Sequence, residues 1–119
     1  MNTETLPSVL ILEQIVRALA PCKFVQIQGP DGRTYIRGND GNHETIFECR
    51  FQEELKEQGI SPEGFSCVGG GVLEFVKQER VWGAYDYSRK YGKYNKKIIE
   101  PLLRDYASKN LEGFSVMVR

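Results

Sequence analysis

The chain has few cysteines and no long apolar run, and each of these absences argues against a particular class of protein. Its three cysteines, Cys22, Cys49 and Cys67, are widely spaced and form no C-x-x-C pair. An odd number with this spacing argues against a disulfide framework and against a zinc site. No apolar stretch reaches the roughly 20 residues of a transmembrane helix, and no basic residue precedes the first apolar run, as a secretory signal would require. We therefore expect a cytoplasmic protein with no membrane association and no cofactor.

Net charge is also absent. Sixteen basic and 16 acidic residues give a formal charge of 0 over 119 residues, 40% of which are hydrophobic. These values are typical of one soluble domain. A net charge of zero gives the protein no overall electrostatic attraction to nucleic acid. Locally the balance fails, because the segment 88–97 (SRKYGKYNKK) has five basic residues and no acid. This indicates a single anionic partner at one place, and the formal charge of zero argues against nucleic acid as that partner.

The first half of the chain predicts a β-hairpin. Residues 23–28 and 33–37 form two strands, joined by the turn sequence Gly-Pro-Asp-Gly. The pairing expected about this turn is Lys23 with Gly38 and Phe24 with Arg37. The open end of the hairpin then gathers Lys23 and Arg37 beside the chain that leads to His43. The preceding residues 8–20 fit either a helix or a strand followed by a turn.

A helix is predicted next, with Asn42 as its N-cap, an end near Gln58 and Gly59 beyond that end. The side chains at every fourth position form one row that packs on the sheet: His43, Phe47, Phe51 and Leu55. His43 therefore lies in the opening turn, at the edge of the sheet.

The second half predicts further strands and one more helix. The strands are expected at 65–68, 72–76, 80–87 and 113–118, with the glycine triplet 69–71 breaking the first two. The helix is expected to begin no earlier than about Lys97, because Pro101 is unfavourable in a helix interior. Its expected buried face consists of Ile98, Leu102 and Tyr106. The fold class is thus α/β or α+β, a single domain over 1–119 with a mixed five- or six-stranded sheet flanked by two helices.

His43, the only histidine, has two interpretations. It either starts a packed row as a structural residue, or it is a base at a phosphate site. Imidazole titrates near neutral pH, and the N–H groups at a helix start suit phosphate. The loop from Ser88 has the same two interpretations. Its hydroxyl, its N–H groups and the cations Arg89 and Lys90 suit a tetrahedral anion, but an exposed solvated loop has the same composition.

Five features follow one another along the chain: Lys23-Phe-Val-Gln-Ile, Ile36-Arg-Gly38, His43 at a helix start, Cys67-Val-Gly-Gly-Gly71 and Tyr85-x-Tyr-Ser-x-x-Tyr-Gly92. In their order and spacing they resemble the janus/ocnus family, which includes the phosphohistidine phosphatases. The resemblance covers about residues 9–118. It implies a mixed sheet with two helices and a metal-independent phosphatase that hydrolyses the P–N bond of phosphohistidine in proteins.

The resemblance also implies residue roles. His43 is the catalytic residue, as general base or as nucleophile. The phosphoryl oxygens are held by the N–H groups of His43 and Glu44, the Ser88 hydroxyl and the Lys90 backbone, while Lys23 adds positive charge and Arg37 buttresses the site. The implied partners are phosphohistidine-containing proteins and a phosphate or sulfate anion, and the protein is expected to be a monomer.

The chain departs from the family pattern at four positions. Val72 stands where relatives can have an arginine, and Arg89 and Lys90 replace small or apolar residues, where they would either compensate for that cation or serve a different partner. Asp86 stands at a position associated with glycine, and is expected on the strand face of Ser88. These departures favour an alternative function, a non-catalytic anion- or phosphoprotein-binding regulatory module of the same fold.

Overall fold

A six-stranded mixed sheet organises the chain, and the computed structural model describes residues 6–119. The strands are β1 (Val9–Ile11), β2 (Cys22–Gln28), β3 (Thr34–Asn39), β4 (Ser66–Val76), β5 (Val81–Tyr85) and β6 (Ser115–Val118). They lie in the order β1-β3-β2-β4-β5-β6, parallel where β1 meets β3 and where β5 meets β6, and antiparallel elsewhere. The predicted α+β fold with a mixed sheet is confirmed.

The helices are α1 (Glu13–Ala18), α2 (His43–Thr45), a π-helical segment (Ile46–Phe51), α3 (Gln52–Glu57) and α4 (Lys96–Asn110). The elements from α2 to α3 follow one another without a break and form the first predicted helix. The short α1 was not one of the two predicted helices, and it shows that residues 8–20 contain both a strand and a helix. None of the helices within residues 6–119 has the length and apolar character needed to cross a bilayer.

Two apolar cores lie on opposite faces of the sheet. One lies beneath α1 and α4 and includes Phe24, Leu73, Trp82, Ile99 and Leu103. The other lies beneath the π-helical segment and α3 and includes Val25, Ile27, Tyr35, Ile46, Phe51 and Leu55. Alternation along β2 divides its residues between the two cores, because successive strand side chains point to opposite faces. The His43 side chain lies on the same face as the second core, over Gly70, which pairs with Val25.

The β2–β3 hairpin is displaced by one residue from the predicted pairing. The observed pairs are Lys23 with Asn39, Phe24 with Gly38 and Val25 with Arg37. The Gly29 N–H donates to the Arg33 carbonyl at 2.9 Å, so Gly29 lies opposite Arg33, and β3 begins at Thr34, which pairs with Gln28. The prediction counted one loop residue too few. Because a shift of one residue exchanges the two faces, it decides which core Arg37 joins.

The prediction that the glycine triplet breaks a strand was wrong. The triplet lies within the continuous β4. A Cβ atom added at Gly69 would lie 2.6 Å from the Lys93 carbonyl oxygen, and one at Gly71 would lie 2.6 Å from the Tyr85 carbonyl oxygen. Gly69 and Gly71 are therefore required by close backbone approach on one face of the sheet.

The buried face of α4 differs from the prediction by one residue. Ile99, Leu103 and Ala107 are buried, whereas Ile98 is 40% exposed and Leu102 and Tyr106 lie at the margin of the core. The N-cap sets this phase, because the Asn95 N–H donates to the buried Gln26 side chain at 2.7 Å and the helix begins at Lys96. Pro101 lies in the second turn of α4.

We expect Ile99→Ala to lower the free energy of unfolding by roughly 2–5 kcal/mol, since it leaves a cavity in the core. The neighbouring Ile98→Ala is the matched control and should change it by about 0.5 kcal/mol or less. Urea unfolding followed by circular dichroism measures both values. Equal losses from the two substitutions would contradict the observed phase of α4.

Candidate functional site

The helix that runs from α2 to α3 begins at His43, as predicted. The Asn42 side chain accepts the Thr45 N–H at 2.8 Å, and the Asn42 carbonyl accepts the Ile46 N–H at 3.0 Å. This cap satisfies one of the donors of the opening turn, whereas the N–H groups of His43 and Glu44 have no partner within the helix. The helix start therefore presents two backbone donors beside the imidazole.

The imidazole of His43 is fixed by one hydrogen bond. Its Nε2 atom lies 3.0 Å from the carbonyl oxygen of Gly71, and the residue is only 6% exposed. A carbonyl oxygen only accepts hydrogen bonds, so Nε2 carries the hydrogen. In the neutral imidazole Nδ1 is then the unprotonated nitrogen with a free lone pair. This is the atom of His43 that can take a proton or attack phosphorus.

The loop that follows β5 is folded back on itself. The Ser88 N–H donates to the Gly92 carbonyl at 3.1 Å, and the Gly92 N–H donates to the Ser88 carbonyl at 2.8 Å. Gly92 has a φ of +86°, which glycine adopts without strain. The Ser88 Oγ accepts the Tyr91 N–H at 3.0 Å. Its own hydroxyl hydrogen is thereby left to donate, and an oxyanion is a suitable acceptor.

Gly70 is the point at which the helix start and this loop meet. A Cβ atom added there would lie 3.0 Å from His43 Cδ2 and 3.2 Å from Ser88 Cβ. The Gly70 N–H also donates to the Gly92 carbonyl at 3.1 Å. The structure therefore places His43 and Ser88 on one face of β4, on either side of a residue that has no side chain.

Lys23 lies on the same sheet face as these two residues. It pairs with Val72, just as Val25 pairs with Gly70, and paired residues of neighbouring strands point to the same face. A cavity of about 560 Å³ adjoins the start of the helix and is lined partly by Lys23, Val72 and residues 39–42. Lys23 is exposed at this cavity, and Val72 adds no charge to it.

Arg37 is placed under the helix rather than beside His43. It is 4% exposed, and its Nε and Nη2 atoms donate to the two carboxylate oxygens of Glu54, both at 2.8 Å. Its Nη1 atom donates to the Ile36 carbonyl at 2.9 Å. Two strand spacings, about 10 Å, separate its backbone from Gly70. Arg37 therefore joins α3 to the sheet, and its guanidinium is not brought to the imidazole.

Arg89 and Lys90 lie at the exposed tip of the Ser88 loop. Within the part of the chain that the structure describes, their N–H groups make no hydrogen bond. The Lys90 ammonium donates to Glu48 at 2.6 Å, and the Tyr91 hydroxyl donates to the same carboxylate oxygen at 2.5 Å. Sequence reasoning missed Glu48 and Tyr91, because no local pattern indicates that the helix and the loop meet there.

Cys67 also lies near this loop, and its thiol has low reactivity. Its thiol donates to the Gly69 carbonyl at 3.4 Å, and burial raises the pKa of the Cys67 thiol to about 12. A protonated thiol is a poor nucleophile. Within residues 6–119, no group of three or more His, Cys, Asp and Glu side chains is arranged to hold a metal ion. The imidazole is thus the strongest candidate for chemistry.

The prediction that Asp86 shares a strand face with Ser88 was wrong, because β5 ends at Tyr85. Asp86 has a φ of 69°, in the left-handed region that favours glycine. Its carboxylate accepts the Tyr87 N–H at 3.0 Å. Aspartate tolerates this conformation better than most residues because such short bonds stabilise it. The backbone here thus has a conformation suited to glycine.

A model of the Janus/Ocnus family matches residues 6–110. This range includes the helix start, the glycine triplet and the Ser88 loop, so the chain belongs to the Janus/Ocnus family. No curated protein matches the chain.

The hydrogen bond to Gly71 predicts one tautomer for the neutral imidazole. We expect ¹⁵N-detected NMR to show a protonated Nε2 and an unprotonated Nδ1, because only Nε2 faces a carbonyl oxygen. The spectrum is simple to assign, since His43 is the only histidine. A neutral ring protonated at Nδ1 would contradict the described geometry.

The placement of Arg37 predicts a role in stability. Arg37→Ala leaves the Glu54 carboxylate, 18% exposed, without its partner and should lower the free energy of unfolding by roughly 3 kcal/mol. The control is Arg50→Ala, which removes an exposed ion pair with Asp40 and should lower it by less than about 1 kcal/mol. Chemical denaturation compares the two, and similar losses would contradict a buried structural pair.

Proposed function

We propose that this Janus/Ocnus protein is a metal-independent protein phosphohistidine phosphatase. The observation that carries the proposal is the imidazole of His43, which is bonded through Nε2 to the Gly71 carbonyl and lies beside Ser88. That bond leaves Nδ1 as a free base within a cluster of phosphate-binding donors. The substrates would be proteins that carry phosphohistidine, and the protein would act in the cytoplasm as a monomer.

In the proposed reaction His43 acts as the general base. Nδ1 takes a proton from a water molecule as the water oxygen attacks phosphorus. The P–N bond breaks, and the leaving histidine nitrogen takes the proton that Nδ1 accepted, so the products are inorganic phosphate and a protein whose histidine side chain is unphosphorylated. A well-placed base contributes about 10²–10⁴-fold to the rate. In the alternative route Nδ1 attacks phosphorus itself, and water then hydrolyses the phosphorylated His43.

The surrounding donors would stabilise the transferring phosphoryl group. They are the N–H groups of His43 and Glu44, the hydroxyl of Ser88 and the N–H groups of Arg89 and Lys90, with the Lys23 ammonium adding positive charge. Phosphoryl transfer depends mainly on positioning and on charge stabilisation at the equatorial oxygens. His43 and Ser88 are 6% and 1% exposed, and donors screened from water stabilise charge more strongly.

A second candidate is a non-catalytic module that binds an anion or a phosphoprotein. The observation that favours it is the burial of both His43 and Ser88, together with the apolar Val72 at the adjoining cavity. In this function His43 would only attach the helix start to β4. Binding of inorganic phosphate without turnover of a phosphohistidine peptide would distinguish this function from catalysis.

The proposal predicts hydrolysis of a phosphohistidine peptide in the presence of EDTA. His43→Gln should lower kcat/KM at least about 10²-fold, because glutamine retains a donor for the Gly71 carbonyl but has no base. Ser88→Ala should lower it about 10²-fold through loss of one donor to the phosphoryl oxygens. The rate of phosphate release is measured for the wild type and for both variants.

The control is Ser108→Ala on α4, which covers the opposite face of the sheet and should leave the rate unchanged. Equal turnover by the wild type and His43→Gln would remove His43 from the mechanism. Folding of each variant is checked by circular dichroism.

A further inference from the structure

One carboxylate joins the helix that begins at His43 to the loop that begins at Ser88. Glu48 accepts the Tyr91 hydroxyl at 2.5 Å and the Lys90 ammonium at 2.6 Å, both at its Oε2 atom. The Phe47 ring packs edge-on against the Tyr91 ring, with the centroids 5.9 Å apart. Helix and loop therefore meet through one polar and one aromatic contact.

We propose that Glu48 is a positioning residue that holds the tip of this loop in place against the helix start. This inference rests on the proposed phosphatase function. Glu48 would not touch the phosphoryl group. It would act through Tyr91 and Lys90, keeping the Ser88 hydroxyl and the N–H groups at the loop tip directed at the space beside His43.

The loop has a firm base and an unsupported tip. Its base is held by the two hydrogen bonds between Ser88 and Gly92 and by the Gly70 N–H on the Gly92 carbonyl. At the tip, the N–H groups of Arg89 and Lys90 make no hydrogen bond within the described residues. The bonds from Tyr91 and Lys90 to Glu48, together with the packing of Tyr91 on Phe47, are thus what joins the tip to the helix. Donors to a phosphoryl group need this kind of support, since a displacement of about 1 Å can lower a rate 10²-fold.

The π-helical segment turns Glu48 toward the loop. In a regular α-helix a residue five positions after His43 would lie about 140° away around the axis. A π-helix has wider turns with i→i+5 hydrogen bonds, so residues five apart move toward the same side. Ile46 and Phe51 show this change, since they are five positions apart and both are buried in one core.

The charges around Glu48 preserve this arrangement near neutral pH. The hydrogen bonds from Lys90 and Tyr91 lower the pKa of the Glu48 carboxyl, and burial together with the bond to Glu48 raises the pKa of Tyr91. Glu48 therefore stays ionised and Tyr91 keeps its proton. Glu44 and Cys67 are the other titratable groups that act on this cluster. Exposed ion pairs contribute little to stability, so removal of the Glu48 carboxylate should leave the fold intact.

The test uses Glu48→Ala in the full chain with a phosphohistidine peptide. We expect kcat about tenfold below wild type with KM nearly unchanged, because the transferring group loses donors more than the peptide does. The midpoint of urea unfolding should match that of the control Glu53→Ala, an exposed glutamate on α3. Glu48→Gln keeps an acceptor for Tyr91 and should recover part of the rate.

A double-mutant cycle with Tyr91→Phe decides whether Glu48 acts through Tyr91. The double variant should be no slower than the slower single variant, since residues that act as a unit are not additive. Turnover that depends on His43 but is equal in Glu48→Ala and Glu53→Ala would overturn the positioning role alone, as would fully additive losses. The absence of any turnover by wild type would overturn the proposed function, and the role of Glu48 with it.

Discussion

The hydrogen bond from His43 Nε2 to the Gly71 carbonyl is the interaction on which the candidate site depends. It joins the start of α2 to the central strand β4, and it fixes which imidazole nitrogen carries the hydrogen. Without it the ring could rotate, and Nδ1 would have no defined direction. The bond therefore has one structural and one chemical consequence.

The glycines beside that bond make the site compact. Gly69 meets the chain before α4, Gly70 meets both His43 and Ser88, and Gly71 meets the end of β5. Each contact leaves no room for a Cβ atom, so three consecutive residues without side chains let three elements converge on one strand. Arg37 and Glu54 support the same helix from beneath, farther along the sheet. The site is therefore assembled by close backbone approach, and a partly buried ion pair outside it attaches the same helix to the sheet.

The sequence allowed the local features to be predicted and left the packing open. Asn42 has an N-cap side chain and a helix-compatible sequence after it, so the position of His43 followed from local rules. The register of Arg37 depended on whether Arg33 belongs to a loop, and the phase of α4 depended on a distant contact with Gln26. The π-helical segment that contains Glu48 was not predicted either, because a repeat of side chains at every fourth position indicates a regular α-helix.

A crystal structure of the protein with inorganic phosphate tests the central claim most directly. We expect one phosphate beside His43 Nδ1, with its oxygens accepting hydrogen bonds from the Ser88 hydroxyl and from the N–H groups at the helix start. Phosphate bound only at a place remote from both residues would contradict it. So would an imidazole whose Nδ1 is already bonded to the protein.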